Sequence, residues 1–330
     1  MIIVTGGAGF IGSNILAGLE RAGYTNTVAA DRLGCEDKWK NIAKRNLFDV
    51  LAPEELDAFL VKYRTEIDAV IHMGAISTTT EKDADKFVQC NIRLTWNLWE
   101  FCRDHAKRFI YASSAATYGA GENGFDDDDS LEYLNRLRPL NPYGWSKAFI
   151  DRKIAGIAAA GEKHRLPPQF AGLKFFNVYG PNEYHKEGQK SVIAHIFPKV
   201  KNGEPVSLYK SYHPDYADGG QLRDFVWAGD IVDVTLWLLE HPQVSGLFNI
   251  GSGEARSFAD LARAVWQAME KPPQIAYIDM PESLRGQYQY YTKADISKLR
   301  TVGYAKEMTR LEDGVGTYVK DFLNQNDQYL

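Results

Sequence analysis

Ile2-Ile3-Val4-Thr5-Gly6-Gly7-Ala8-Gly9-Phe10-Ile11-Gly12 opens the chain and decides its fold. Ile2, Ile3 and Val4 have the β-branched character of a short buried strand. Glycines follow, and then Ile15, Leu16 and Leu19 recur at helical spacing until Gly23 offers a stop. Strand, glycine loop and helix in that order form the setting in which a loop cradles a pyrophosphate. The glycines let the backbone approach the anion, and the helix N-terminus beyond them supplies positive potential. Gly7, Gly9 and Gly12 fit G-x-G-x-x-G, while Gly6, Gly9 and Gly12 fit G-x-x-G-x-x-G. Gly6, Gly9, Phe10, Ile11 and Gly12 are therefore candidates for binding a dinucleotide.

A second strand, Thr27-Val28-Ala29-Ala30, ends at Asp31-Arg32. An acid about 20 residues after such a loop holds the adenosine ribose hydroxyls and favours NAD. Arg32, with Lys38 nearby, would instead receive a 2′-phosphate and favour NADP. The plainer alternative makes both cations solvated surface charges. The expectation is NADP, with NAD possible. A third strand is expected around Leu47, closed by Asp49, and Pro53-Glu54-Glu55-Leu56 reads as a helix start. Asp68 to Ala75 reads as a buried strand ending in small residues that suit a backbone beneath a cofactor. Met73, Gly74, Ala75, Ile76 and Ser77 thus join the cofactor candidates, and His72 reads as a satisfied core histidine. A helix is expected from about Asp83 to His105, with Trp96 and Trp99 in the core or at a subunit contact. Asn91, on its apolar face, needs a partner if buried and is a candidate backbone or cofactor contact.

The next strand, Phe109-Ile110-Tyr111-Ala112, leads into Ser113-Ser114. A hydroxyl there, at the C-terminal end of a strand in an open parallel sheet, lies at the ligand crevice. Asn141-Pro142-Tyr143-Gly144-Trp145-Ser146-Lys147 then begins a helical pattern. Tyr143 and Lys147 fall on one face of that helix. An ammonium beside a phenol favours the phenolate, bringing the group towards acid–base work near neutrality. Ala171 to Phe176 is another strand. Strands alternating with helices this regularly imply an α/β chain with a doubly wound parallel (Rossmann) sheet. The expected division is a dinucleotide-binding domain over 1–176, which also receives part of 225–250, and a smaller substrate-binding lobe over 177–330.

Composition excludes several other classes. A formal net charge of −5 argues against a nucleic-acid partner. No apolar run reaches the roughly 18 residues of a membrane span, and the N-terminus lacks signal-peptide character. Cys35, Cys90 and Cys102 show no Cys-x-x-Cys spacing and suit free thiols in a reducing compartment, so a cytoplasmic location is expected. The acidic run Asp126 to Asp129 lacks the glycine and terminal Glu of a calcium loop and reads as a solvated loop. The histidines and cysteines show no zinc spacing, so no metal is expected.

The glycine loop, Ser114, Tyr143-Gly144-Trp145-Ser146-Lys147 and Asn177-Val178-Tyr179-Gly180-Pro181 together resemble the extended short-chain dehydrogenase/reductase family over essentially the whole chain. The resemblance implies that Tyr143 exchanges the proton of the reacting hydroxyl. It also implies that Lys147 lowers the pKa of Tyr143 and holds the nicotinamide ribose, while Ser114 hydrogen-bonds the reacting oxygen. Further stretches are similar to the branch of the family that epimerises ADP-activated heptoses for the lipopolysaccharide inner core. They are Ser113 to Gly119, Asn182-Glu183-Tyr184-His185-Lys186, Leu222-Arg223-Asp224-Phe225-Val226 and Leu284-Arg285-Gly286-Gln287-Tyr288-Gln289. That likeness implies an ADP-heptose sugar nucleotide as partner and a homo-oligomer, a pentamer among the forms known. It makes Lys186 a second acid/base group facing Tyr143 across the substrate, where the plainer reading is a surface loop lysine.

Two such groups make chemical sense. Inverting a carbinol centre through a ketone moves the sugar oxygen to a second position, and a proton donor at each position assists both half-reactions. The likeness also brings Val178 and Lys186 to the cofactor and lines the substrate site with Asn177, Gly188, His195, Tyr209, Arg223 and Tyr288. A core histidine is the competing reading of His195, and Arg223 suits a diphosphate because its guanidinium can bind two oxygens at once. Three positions depart from the pattern: Pro53 stands where some members have Lys, Arg32 where Asn is common, and Gly188 where a Ser is usual. The rival readings are a UDP-hexose 4-epimerase, a 4,6-dehydratase, or a non-catalytic dinucleotide sensor. Ala115-Ala116-Thr117 lacks the acidic pair usual in dehydratases, and a sensor would commonly lack the Tyr and Lys.

Overall fold

The computed structural model describes residues 1–78, 81–285 and 288–330, so Gly286 and Gln287 lie outside the described residues. In chain order the strands are β1 (Ile2–Thr5), β2 (Thr27–Ala30), β3 (Asp49–Leu51), β4 (Ala69–His72), β5 (Arg108–Ser114), β6 (Phe170–Phe175), β7 (Asn177–Tyr179), β8 (Val206–Tyr209), β9 (Leu222–Trp227), β10 (Gly246–Ile250), β11 (Ala255–Ser257) and β12 (Ile275–Ile278). Seven of them form one sheet in the order β3-β2-β1-β4-β5-β6-β10, and each neighbouring pair is parallel. β7, β9 and β11 form a second sheet, and β8 pairs with β12.

Parallel strands are covered on both faces, which is why β1 and β2 are buried at every position. Alternate residues of β1 serve different cores. Ile2 and Val4 pack with Ile15 and Leu19 of the helix Phe10–Arg21 and with Ile231 and Val234 of the helix Ala228–Glu240. Ile3 packs on the other face with Trp99 of the helix Leu94–Asp104 and Ile150 of the helix Pro142–Ala159. Each such fully buried aliphatic side chain contributes about 1.5–3 kcal/mol. A third core, around Ile193, Phe197, Trp266 and Tyr318, holds the C-terminal elements together.

The chain leaves β1 outward to β2 and β3, then crosses back to β4 on the other side of β1. Ligands bind in such sheets at the carboxyl ends of the strands where the order reverses. Here that point lies between Thr5 and His72, which are register partners.

Several expectations shift. The third strand begins at Asp49, because pairing starts only where Phe48 N donates to Thr27 O (2.8 Å). The long helix is helical throughout Ala84–Asp104 but carries a π-turn over Val88–Arg93, a wider turn that places Asn91 inside. Trp96 and Trp99 are core residues, 8% and 0% exposed, so the subunit-contact reading of them is corrected. The acidic loop is not simply solvated either. Asp127 is buried with its carboxylate accepting from Asn249 N (2.8 Å) on β10, and burial pushes its pKa up to about 6. Among the described residues no helix is long and apolar enough to cross a membrane, and no group of three His, Cys, Asp or Glu could hold a metal ion.

Candidate active site

The carboxyl ends of the central strands open onto a cleft. Its floor is the glycine loop. Gly6 has φ +64°, and a Cβ there would lie 2.6 Å from Gly74 N; at Gly12 a Cβ would lie 2.1 Å from Gly6 O. Only glycine fits either place, so the loop keeps its backbone bare at both. Gly9 caps the helix Phe10–Arg21 without a side-chain bond, and the first turn holds no acid. The N–H groups of Phe10, Ile11 and Gly12 therefore have no partner within the helix, and its positive end is unneutralised. A pyrophosphate fits this donor set.

Of the residues expected at the cofactor, Gly6, Gly9, Phe10, Ile11, Gly12, Asp31, Lys38, Met73, Gly74, Ala75, Ser77, Lys147 and Lys186 line the cleft. Arg32 does not: its exposed guanidinium pairs with Glu54. Asp31 is held by its neighbours, Oδ2 accepting from Ala8 N (3.0 Å) and Oδ1 from Lys38 Nζ (2.7 Å). Val178 is half-buried on β7 and packs against the core of the large sheet. Ile76 has both its backbone groups bound to the side chain of Asn91, Ile76 N to Oδ1 (2.9 Å) and Ile76 O from Nδ2 (3.0 Å). Asn91 is fully buried and its partners are protein groups, as its polarity required.

Asn91 belongs to a chain of hydrogen bonds whose direction is fully determined. Gly74 N–H donates to Thr5 Oγ1 (3.2 Å), so the Thr5 hydroxyl is free to donate to His72 Nδ1 (2.6 Å). Thr95 donates to Asn91 O (2.5 Å), so it accepts from His72 Nε2 (2.8 Å). Asn91 Nδ2 donates to Ser146 Oγ (3.0 Å), and Ser146 donates to Tyr143 O (2.7 Å). His72 is thereby fixed as the neutral Nε2–H tautomer, and burial lowers its pKa to about 3, in keeping with that state. This satisfied core histidine ties the loop beneath the cleft to the helix that carries Tyr143.

That helix starts at Asn141, whose Oδ1 accepts from Gly144 N (2.8 Å). Tyr143 and Lys147 project from it into the cleft. Burial raises the Tyr143 phenol above its ordinary value, and a hydrogen bond with Ser114 opposes this. Lys147 Nζ donates to Ala112 O (2.7 Å), and burial lowers its pKa to about 8 against the pull of Asp151. In the protein by itself the Lys147 ammonium faces the Ala112 carbonyl, and burial sets the direction at Tyr143. Asp151, one turn beyond Lys147, accepts from Ser113 Oγ (2.7 Å) and pairs with the fully buried Lys174 (2.9 Å). Sequence reading missed both, since nothing local announces a buried ion pair.

Lys186 reaches the same cleft from a loop 43 positions later. It is half-buried, with its ammonium 5.4 Å from the centre of the Phe10 ring, so the surface-lysine reading is corrected. His185 lines the cleft beside it. Its Nδ1 lies 3.2 Å from Asn41 Nδ2, and burial, then Lys38 and Lys186, lower its pKa to about 4. Its pairing with Lys186 in sequence was visible, its place in the cleft was not. Ser113, a strand-end hydroxyl, also lines the cleft, while Ala112 and Phe175 complete it and carried no sequence signal beyond strand character.

The expected substrate residues separate into groups. Arg223 is buried on β9 beneath Tyr288, its guanidinium 5.4 Å from that ring, and Tyr209 meets Tyr288 edge-on at 6.5 Å. Asn177 is exposed at the start of β7, close in sequence to the cleft residue Phe175. His195 is exposed, which removes the core-histidine reading, and its Nε2 lies 3.4 Å from Gly188 O. Nothing lies within 4 Å of a Cβ built on Gly188, so the missing side chain there leaves open space.

Known proteins resemble the chain along its whole length. The chain is 47% identical over all its length and all of theirs to proteins of Fusobacterium nucleatum subsp. nucleatum and Nitratidesulfovibrio vulgaris, each named ADP-L-glycero-D-manno-heptose-6-epimerase. The crystal structure of the Helicobacter pylori enzyme of the same name shares the fold, with a TM-score of 0.77 at 24% identity, covering 97% of this chain and 95% of that one. Residues 2–251 match the NAD dependent epimerase/dehydratase family, and the chain belongs to that family.

Proposed function

We propose that the protein converts ADP-D-glycero-D-manno-heptose to ADP-L-glycero-D-manno-heptose at C6 through a transient 6-keto sugar, for the inner core of lipopolysaccharide. One observation carries the reading: Tyr143 and Lys186, from separate parts of the chain, line one cleft with the glycine loop. Full-length identity of 47% to proteins of that name supports the choice of substrate. Bound to the loop, a nicotinamide dinucleotide supplies the acceptance and return of a hydride. Ser114 holds the substrate oxygen at its first position and Tyr143 exchanges its proton. Once the sugar has turned, Lys186 serves the oxygen at its second position. Burial lowers the Lys186 ammonium from its ordinary value, towards the range useful for exchange near neutrality. Arg223, stacked beneath Tyr288, binds the diphosphate, and Asn177, Gly188, His195 and Tyr209 complete the substrate site.

The test is direct. Purified protein is given ADP-D-glycero-D-manno-heptose, with UDP-galactose as the rival, and the products are resolved by chromatography and NMR. Conversion of UDP-galactose alone would replace this reading with a 4-epimerase. Residence in the cytoplasm as a homo-oligomer, a pentamer by resemblance, belongs to the same proposal. The three free cysteines support a reducing compartment.

Within the family's NAD-type cofactors, NADP is our choice, resting on Lys38 more than on Arg32. Lys38 sits in the cleft against Asp31 and offsets the carboxylate that would repel a 2′-phosphate. Replacing Lys38 by Ala bares that carboxylate. The preference for NADP over NAD is expected to fall by about tenfold or more, the effect of roughly 1.4 kcal/mol, measured by competitive binding of the two cofactors. An unchanged ratio would return the specificity to Arg32 or to the backbone.

A further inference from the structure

Lys186 lies in the 3₁₀ segment Tyr184–Gln189, three residues after Glu183. Glu183 is 1% exposed, a position where an ionised carboxylate is costly unless fully hydrogen-bonded. Burial raises the pKa of its carboxyl, and three donors oppose that. Oε2 accepts from Ser191 N (2.5 Å), and Oε1 accepts from Ser191 Oγ (2.6 Å) and Tyr318 OH (2.9 Å). Ser191 is also the N-cap of the helix Val192–Asn202, so the carboxylate lies by the positive end of that helix. Lys186 N donates to Glu183 O (3.0 Å), joining the two residues through one turn of backbone. The turn is unusual on both sides, with Asn182 at φ +71° and Glu187 at φ +46°. Such conformations persist only where the surroundings fix them: Asn182 is bonded to Ser13, Asn41 and Leu330, and Glu183 to Ser191 and Tyr318.

We propose that Glu183 is a positioning residue for Lys186: a buried, anchored carboxylate that holds the loop in place and keeps the Lys186 amine in balance between its charged and neutral forms. Without it, burial alone would drive the amine towards neutrality, and Glu183 is the charge that opposes this. Other titratable groups surround the amine. His185 shares its loop, Asp31 and Lys38 approach from the side of β2, and Tyr143 and Lys147 share the cleft. Tyr184 and Tyr318 stand behind Glu183. Among these, Asp31 is already paired with Lys38, which leaves Glu183 as the carboxylate able to bias Lys186.

This inference rests on Lys186 as the second acid/base group, and the experiment separates the two claims. Removing the charge lowers the pKa of Lys186. In the direction of reaction where Lys186 starts protonated, the alkaline limb of the kcat profile then moves to lower pH. In the other direction, where it starts neutral, the acid limb moves to lower pH. For Glu183→Gln both shifts are expected at about one pH unit, as for loss of an opposite charge nearby. Glu183→Asp keeps the charge, withdrawn by one methylene, and should shift the limbs less. NMR titration of ¹⁵N-labelled lysine, assigned by Lys186→Met, reads the same change without turnover. If Lys186→Met is inactive while Glu183→Gln leaves limbs and titration unmoved, Glu183 is structural only and this proposal fails. If Lys186→Met turns over normally, the two-group reading fails and this one with it. Should the Gln variant not fold, the Asp variant decides, and an unmoved Lys186 titration overturns the proposal.

Discussion

Replacing Tyr143 by Phe is expected to lower kcat by about 10²–10⁴-fold, the usual contribution of a positioned acid/base group. The substitution removes one oxygen and little else. The ring keeps its volume, and the cap at Asn141 does not involve the phenol. Ser114 retains its bond from Ala116 N (3.1 Å). Stability should therefore change by only about 0.5–1.5 kcal/mol, the net value of one hydrogen bond. Bound cofactor, read by mass spectrometry after denaturation, should be as abundant as in the parent. The measurement is the rate of ADP-heptose interconversion in both directions. A rate within threefold of the parent would remove Tyr143 from the chemistry.

Lys186→Met is expected to fall as far, again about 10²–10⁴-fold, in both directions. Methionine keeps an unbranched stem of similar reach, so packing against Phe10 survives while the exchangeable proton is lost. A second, independent readout follows from the neighbouring histidine. Lys186 is one of the charges that depress His185, so its removal should raise the pKa of that ring from about 4. Protonation of His185 would then begin at higher pH, visible in its ring resonances. A large rate loss with the expected rise at His185 marks a local electrostatic change. Normal turnover would leave the second proton donor unassigned and return the enzyme to a single-base scheme.

The parts of this site that were legible in the sequence are those whose chemistry is written in consecutive residues. The glycine loop is one, because its glycines stand at fixed spacing between a strand and a helix, although the crowding at Gly6 comes from distant Gly74. The Tyr143 and Lys147 pair is another, because helical spacing alone puts both on one face. What stayed hidden depends on partners far along the chain. Asp127 reads as one more acid in an exposed run, and its burial becomes visible only when β10 brings Asn249 to it from 122 positions away. Lys147 facing Ala112 O depends on the approach of a helix to a strand 35 residues earlier. The π-turn that turns Asn91 inward has no strong residue signature, and the groups Asn91 bonds there, on Ile76 and Ser146, lie 15 and 55 residues away. Glu183 looks like an ordinary loop acid until Tyr318, 135 residues on, reaches it.

The placement of Tyr143 and Lys186 in a single cleft has a consequence for the order of events between catalytic cycles. If one group accepts a proton and the other gives one, each passage leaves the pair with its protons exchanged. The protein that releases product is then not the form that took up substrate. It is ready at once for the reverse reaction, but it must move a proton before it can repeat the forward one. An enzyme working in this way would carry a record of the direction it last ran, erased by a proton step that involves no sugar. Product would bind that remembering form as its natural substrate, and forward-rate inhibition by product would be non-competitive. That proton step would take place in the cleft that Lys147, His185 and Lys38 also line.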